Sequence, residues 1–66
     1  MSTRAIKMYN GQYFKVVESS GYCYLQKYVG GFLSAYADAG RTRSFKDALD
    51  LACSISGSSV KEIASA

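Results

Sequence analysis

The chain reads as an α+β fold: an antiparallel β-meander of three to five strands covered on one face by one amphipathic helix. Three observations lead there. Ser44–Ser56, SFKDALDLACSIS, places apolar residues at 45, 48, 49, 52 and 55, which is one face of a 3.6-period helix. The residues before it alternate between apolar and polar and are punctuated by Asn10-Gly11, Ser19-Ser20-Gly21 and Gly30-Gly31. The chain has 66 residues, enough for one domain only. A domain of this size buries only about 60% of its unfolded surface, so nearly every apolar side chain is needed in the core.

The helix has both of its stop signals. Ser44 is a good N-cap, and Asp47 three residues later answers the cap and meets the helix dipole. Gly57 is suited to the left-handed conformation that ends a helix. Phe45, Ala48, Leu49, Ala52 and Ile55 are expected to face the sheet.

Strands are expected over about 4–43. Arg4–Tyr9 and Gln12–Glu18 pair around Asn10-Gly11, a strong hairpin signal. A two-residue loop would place Met8 opposite Tyr13 and scatter apolar residues over both faces. A type I turn with Gly11 as a bulge places Lys7 opposite Tyr13 and Ile6 opposite Phe14. Ile6, Met8, Phe14 and Val16 then share one face, and Lys7, Tyr13, Lys15 and Val17 the other. The second register is preferred, because one-sided burial is what fixes register.

Tyr22–Val29 forms a third strand, with Cys23, Leu25 and Val29 on one side and Tyr22, Tyr24, Gln26 and Tyr28 on the other. Gly30-Gly31 is the next tight turn. Phe32–Ala37 is read as a fourth strand in preference to a short helix closed by Gly40, since a stable sheet needs at least three strands. Asp38-Ala39-Gly40 is expected to turn the chain into a short last strand, Arg41–Arg43. After the main helix at about 45–56, Ser59 and Glu62 make a second capping box. That predicts a short helix over 60–65, with a frayed tail as the alternative.

Composition narrows the function classes. The chain is 48% hydrophobic and 20% charged, with no Pro, which is the composition of a folded domain. No apolar run reaches the roughly 18–20 residues that cross a bilayer, and the N-terminal stretch has no apolar signal-peptide core, so a cytoplasmic protein with no membrane partner is expected. Two cysteines, Cys23 and Cys53, are expected as reduced core thiols. The chain has no His, which removes the commonest general base and metal ligand. Asp47 and Asp50 lie in the first turns of the helix, where acids belong for dipole reasons. The chain lacks G-x-G-x-x-G and a phosphate loop, and no base accompanies Cys53. No catalytic, cofactor-binding or metal site is therefore expected, and the protein is read as a non-enzyme.

What remains is charge and tyrosine. Net charge is +3, and the six basic residues up to Phe45 face only Glu18 and Asp38. Six tyrosines are many for this length. On the preferred register they are not core, and Lys7, Tyr13, Lys15, Tyr22, Tyr24 and Tyr28 make one open face away from the helix. Arg41 and Arg43, near the start of the helix, are the next candidates. Tyr is enriched at protein interfaces because it is large, stiff, apolar in body and polar at its tip. Tyr beside Lys also suits stacking on unpaired bases, so a small basic single-stranded nucleic-acid binder is the runner-up. The signature of RNA-recognition motifs, a basic residue followed by G-[FY]-[GA]-F, is absent. A homodimer that buries the tyrosine face is a third option.

The meander ending in GRTRSFKDALDLACSISG resembles a recurring type of small phage and mobile-element protein. In that type a three- or four-stranded antiparallel sheet is covered by one helix that opens with a Ser/Thr cap and a D/E-A-L pattern. The likeness covers Tyr22–Gly57. Several members of the group are anti-CRISPR proteins, non-enzymatic inhibitors that bind a Cas protein or effector complex. The resemblance implies a protein partner of that kind, a bacterial CRISPR-Cas effector subunit, in the host cytoplasm. Members that mimic DNA are strongly acidic, whereas this chain is basic, so blocking a protein surface is the implied mode.

Overall fold

A computed structural model describes residues 2–30 and 35–65. Its elements are β1 (Ser2–Met8), β2 (Tyr13–Ser19), β3 (Tyr22–Gly30), β4 (Ala35–Thr42), α1 (Phe45–Ser56) and β5 (Val60–Ser65). The strands form one antiparallel sheet in the order β4-β3-β2-β1-β5. Among the described residues α1 is the one helix, and no helix is long and apolar enough to cross a membrane.

The β1–β2 hairpin has the bulged register. Lys7 pairs with Tyr13 and Ile6 with Phe14. The Gly11 N–H donates to Met8 C=O at 3.1 Å, and the Met8 N–H donates to Gln12 C=O at 2.9 Å. Gly11 holds φ +90° at no steric cost. This puts Ile6, Met8, Phe14 and Val16 on one face, all fully buried with Leu25. Each such side chain contributes about 1.5–3 kcal/mol by leaving water. The β2–β3 turn is tighter: Ser19 pairs with Tyr22, and Ser20 and Gly21 both have positive φ, at 53° and 81°. That is the geometry of a type I′ turn, whose twist matches its flanking strands.

α1 is capped at both ends. Ser44 Oγ accepts from the Asp47 N–H at 3.1 Å. Gly57, at φ +70°, donates its N–H to Cys53 C=O at 2.9 Å. The helix buries Ala48 and Ala52 against the sheet, with Phe45, Leu49, Leu51 and Cys53 packed around them. Two small residues at its centre bring the helix close to the sheet. Ile55, expected on this face, lies at its margin and is 41% exposed.

Four expectations are corrected. Asp38-Ala39-Gly40 is no turn, and Arg41–Arg43 is no separate strand: β4 runs unbroken from Ala35 to Thr42. Gln26 pairs with Asp38 and Leu25 with Gly40, so Ala39 is the extra residue of a β-bulge. The bulge turns Ala39 toward the core and lays Gly40 beneath Leu51. Second, Val29 does not join Cys23 and Leu25. The register shifts between Tyr28 and Gly30, leaving Val29 57% exposed. Gly31 of the expected Gly-Gly turn and residues 32–34 of the expected fourth strand lie outside the described residues.

The third correction is residues 60–65, which form neither a helix nor a frayed tail. They are β5, paired with β1 from Met8↔Val60 to Arg4↔Ser65. The open backbone edge of β1 offers a full ladder of hydrogen bonds, which outweighs one short capping box. The return is fixed at the β1–β2 turn. Tyr9 N–H donates to Ser59 C=O at 3.0 Å, Asn10 N–H to Ser58 Oγ at 3.2 Å, and Asn10 Nδ2 to Ser56 C=O at 3.2 Å. The fourth is the extent of the sheet, which therefore reaches residue 65 instead of ending near residue 43.

Candidate interface on the open sheet face

Side chains alternate along a strand, so the face opposite α1 is set by the same register that builds the core. Cross-strand pairing arranges it in rows. One row runs Glu62, Lys7, Tyr13 across β5, β1 and β2, and Tyr28 and Tyr36 carry it onto β3 and β4. The next runs Ala64, Ala5, Lys15, Gln26, Asp38, and a third Thr3, Val17, Tyr24, Arg41. Tyr22 lies beyond the third row, beside Arg43 in the bend that precedes α1.

Two aromatic clusters result. In the first, the rings of Tyr13 and Tyr28 meet edge to face at 6.3 Å, and Tyr28 and Tyr36 are tilted at 5.3 Å. Lys7 lies 5.8 Å from the centre of the Tyr13 ring, and Lys15 lies 4.3 Å from that of Tyr36. In the second, Tyr22 and Tyr24 are 6.2 Å apart, and Arg41 and Arg43 both approach Tyr22, at 4.6 and 5.4 Å. Ring pairs of this kind add about 0.5–1.5 kcal/mol, and exposed cation–π contacts about 0.5–1 kcal/mol. They order side chains that would otherwise lose that freedom on binding a partner. The clusters are four residues apart along β3, about 13 Å at roughly 3.3 Å per residue.

All eight residues singled out from the sequence, Lys7, Tyr13, Lys15, Tyr22, Tyr24, Tyr28, Arg41 and Arg43, take part in this layer. Tyr36 was missed, although it joins Tyr28 and Lys15. Its segment was ambiguous between helix and strand, and only the pairing of Tyr28 with Tyr36 reveals its place. Tyr9 stands apart in the β1–β2 turn, exposed.

Charge on this face is unbalanced: Lys7, Lys15, Arg41 and Arg43 stand against Asp38 and Glu62 in the edge strands. Among the described residues the ion pair within 4 Å is Arg4–Glu18, at 3.6 Å. It lies on the helix side, where Arg4 also covers the Phe45 ring at 4.3 Å. The four open-face cations thus have tyrosine rings for neighbours, with no described carboxylate in contact.

The thiols contribute nothing to the layer. Cys23 is in the core, 6% exposed, and both cysteines are free. Burial pushes the Cys23 thiol above its ordinary range, the charge of Glu18 adds to this, and Arg4 opposes it. Among the described residues no group of three or more His, Cys, Asp or Glu side chains could hold a metal ion.

No protein-family model matches the chain, and comparison with curated proteins and with solved structures gives no significant match.

Proposed function

We propose that the protein is a non-enzymatic inhibitor that works by binding another protein through the tyrosine face of its sheet. The observation that carries this reading is the pair of clusters, together five tyrosines and four cations, on the side of the sheet away from α1. Aromatic and Arg side chains held in place by one another are what hot spots are made of. Thr3, Asp38 and Glu62 supply a polar rim, and Gln26 lies between the two clusters. The anti-CRISPR resemblance makes the partner a CRISPR effector subunit in the host cytoplasm, occluded by a basic surface.

A single-stranded nucleic acid is the competing ligand. Stacking requires free ring faces, and here Lys15 lies over Tyr36 and both Arg41 and Arg43 over Tyr22. A base would have to displace these cations from the rings. A protein partner need not, because it can use the ring edges, the hydroxyls and the cations together. The favoured reading is therefore protein.

The test is direct binding of the purified chain to purified, nucleic-acid-free effector proteins, with oligothymidylate in parallel. The expected result is effector binding that survives nuclease treatment, and weak oligonucleotide binding at physiological salt. Tight oligonucleotide binding with a log–log salt slope near −0.7 per contacted phosphate would reverse the assignment. A dimer that buries the tyrosines and excludes every effector would leave the face a self-association surface.

A further inference from the structure

The two clusters are not equivalent, and the difference points to where a partner is anchored. In the first, each lysine has its own ring: Lys7 has Tyr13 and Lys15 has Tyr36. In the second, two guanidiniums converge on one ring, with Arg41 at 4.6 Å and Arg43 at 5.4 Å from the centre of Tyr22. The two guanidiniums therefore lie within about 10 Å of each other, near enough for their fields to add, and among the described residues neither has a carboxylate within 4 Å. Both arginines are exposed, so the field they create reaches solvent.

Beside them is an open hollow of about 470 Å³. Its wall includes Arg43, Tyr22, Ser19, Ser20 and Ser44, and so offers a guanidinium and several hydroxyl donors. Glu18 also borders it, but Arg4 holds that carboxylate at 3.6 Å.

We propose that the corner formed by Arg41, Arg43 and Tyr22, with the hydroxyl-lined hollow beside it, is a carboxylate-binding anchor that receives an Asp or Glu side chain of an acidic protein segment. This rests on the reading of the open face as a protein interface. A carboxylate bound at this corner meets the summed positive field of both guanidiniums and accepts forked hydrogen bonds from Arg43, which lines the hollow, or from Arg41. Tyr22 holds the guanidinium planes in position beforehand, which lowers the ordering cost of binding. The Tyr13–Tyr28–Tyr36 cluster, whose Tyr28 is about 20 Å from Tyr22 along β3 at roughly 3.3 Å per residue, then contacts apolar surface on the same partner.

The experiment is an amide NMR titration of the full chain with a capped hexaglutamate peptide, with hexalysine and oligothymidylate of matched length as controls. The expected shifts from hexaglutamate center on Tyr22, Arg41, Thr42 and Arg43. Arg41→Gln combined with Arg43→Gln should weaken hexaglutamate at least tenfold, whereas Lys7→Gln combined with Lys15→Gln should change it less than threefold. Matching thermal melts would show that both variants are folded. No binding of hexaglutamate, or shifts spread evenly over all basic residues, would overturn the anchor. Shifts centred on Lys7 and Lys15 would overturn it too, while leaving the face an acid-binding protein interface. Oligothymidylate binding tighter than hexaglutamate and lost in the arginine variant would overturn both the anchor and the protein-interface reading.

Discussion

Replacing Gly40 by alanine tests the part of the sheet that positions Arg41. Gly40 closes the β-bulge of β4 at φ +131°, a conformation nearly closed to residues with a side chain. A Cβ placed there would lie 2.9 Å from Leu51 Cδ2. The backbone term costs about 1–3 kcal/mol. The steric term is smaller, because Cδ2 is the free end of a half-buried side chain that can leave its rotamer for about 0.5–1.5 kcal/mol. Together Gly40→Ala should lose about 2–4 kcal/mol, a large share of the stability of so small a domain. In a thermal melt followed by circular dichroism that is a fall of roughly 10–25 °C. Since the backbone carries most of the cost, Gly40→Ala should still cost about 1–3 kcal/mol when it is made in a Leu51→Ala background. A melt within two degrees of wild type would show that Gly40 does not hold this conformation. A Gly40→Ala that costs nothing relative to Leu51→Ala alone would show that the clash, and not the backbone, sets the cost.

Other outcomes follow from the same structure. Ala52→Asp places a carboxylate where the helix meets the sheet with no partner, and should leave the chain unfolded by circular dichroism at 25 °C; a folded variant would mean that the helix is turned about its axis. Ser20→Asn should raise the urea midpoint by the equivalent of about 0.5–1 kcal/mol, because Asn tolerates the positive φ of the β2–β3 turn better than Ser; an unchanged or lower midpoint would argue against a type I′ turn. The raised thiol of Cys23 makes its stabilising effect full below the ordinary thiol range and progressively lost above it, since the unfolded chain sheds that proton first. Urea midpoints measured from pH 8 to 10.5 should therefore fall more steeply in wild type than in Cys23→Ala; parallel curves would remove the burial effect.

The parts of this fold that were legible in the sequence are those where one physical cause dominates. The register at Asn10-Gly11 followed from keeping Ile6, Met8, Phe14 and Val16 together, and the caps Ser44 and Gly57 from orphan backbone groups. Asp38-Ala39-Gly40 was misread because turns and bulges draw on the same residues, and only the partner strand distinguishes them. β5 was hidden for a related reason. Ser59 and Glu62 signal a helix locally, but the free edge of β1, distant in sequence, sets the outcome. The open face was legible through Lys7, Tyr13 and Lys15, which follow from the hairpin. Tyr36, and the meeting of Arg41 and Arg43 at Tyr22, depended on a strand that the local sequence left ambiguous.

The central claim is that the face away from α1 binds a protein and plays no part in the core. Tyr24→Ala tests it most directly, because Tyr24 is central in β3, beside Tyr22 and opposite Arg41. The measurement pairs a thermal melt with titration calorimetry against whichever effector protein the proposed binding test retains, with Asp50→Ala on the outer face of α1 as control. Tyr24→Ala should melt within about 5 °C of wild type and lose at least tenfold in affinity, equivalent to about 1.4 kcal/mol, while Asp50→Ala binds normally. An unfolded Tyr24→Ala would make that ring part of the core. A folded Tyr24→Ala that binds as wild type, with Asp50→Ala impaired, would move the interface to the helix.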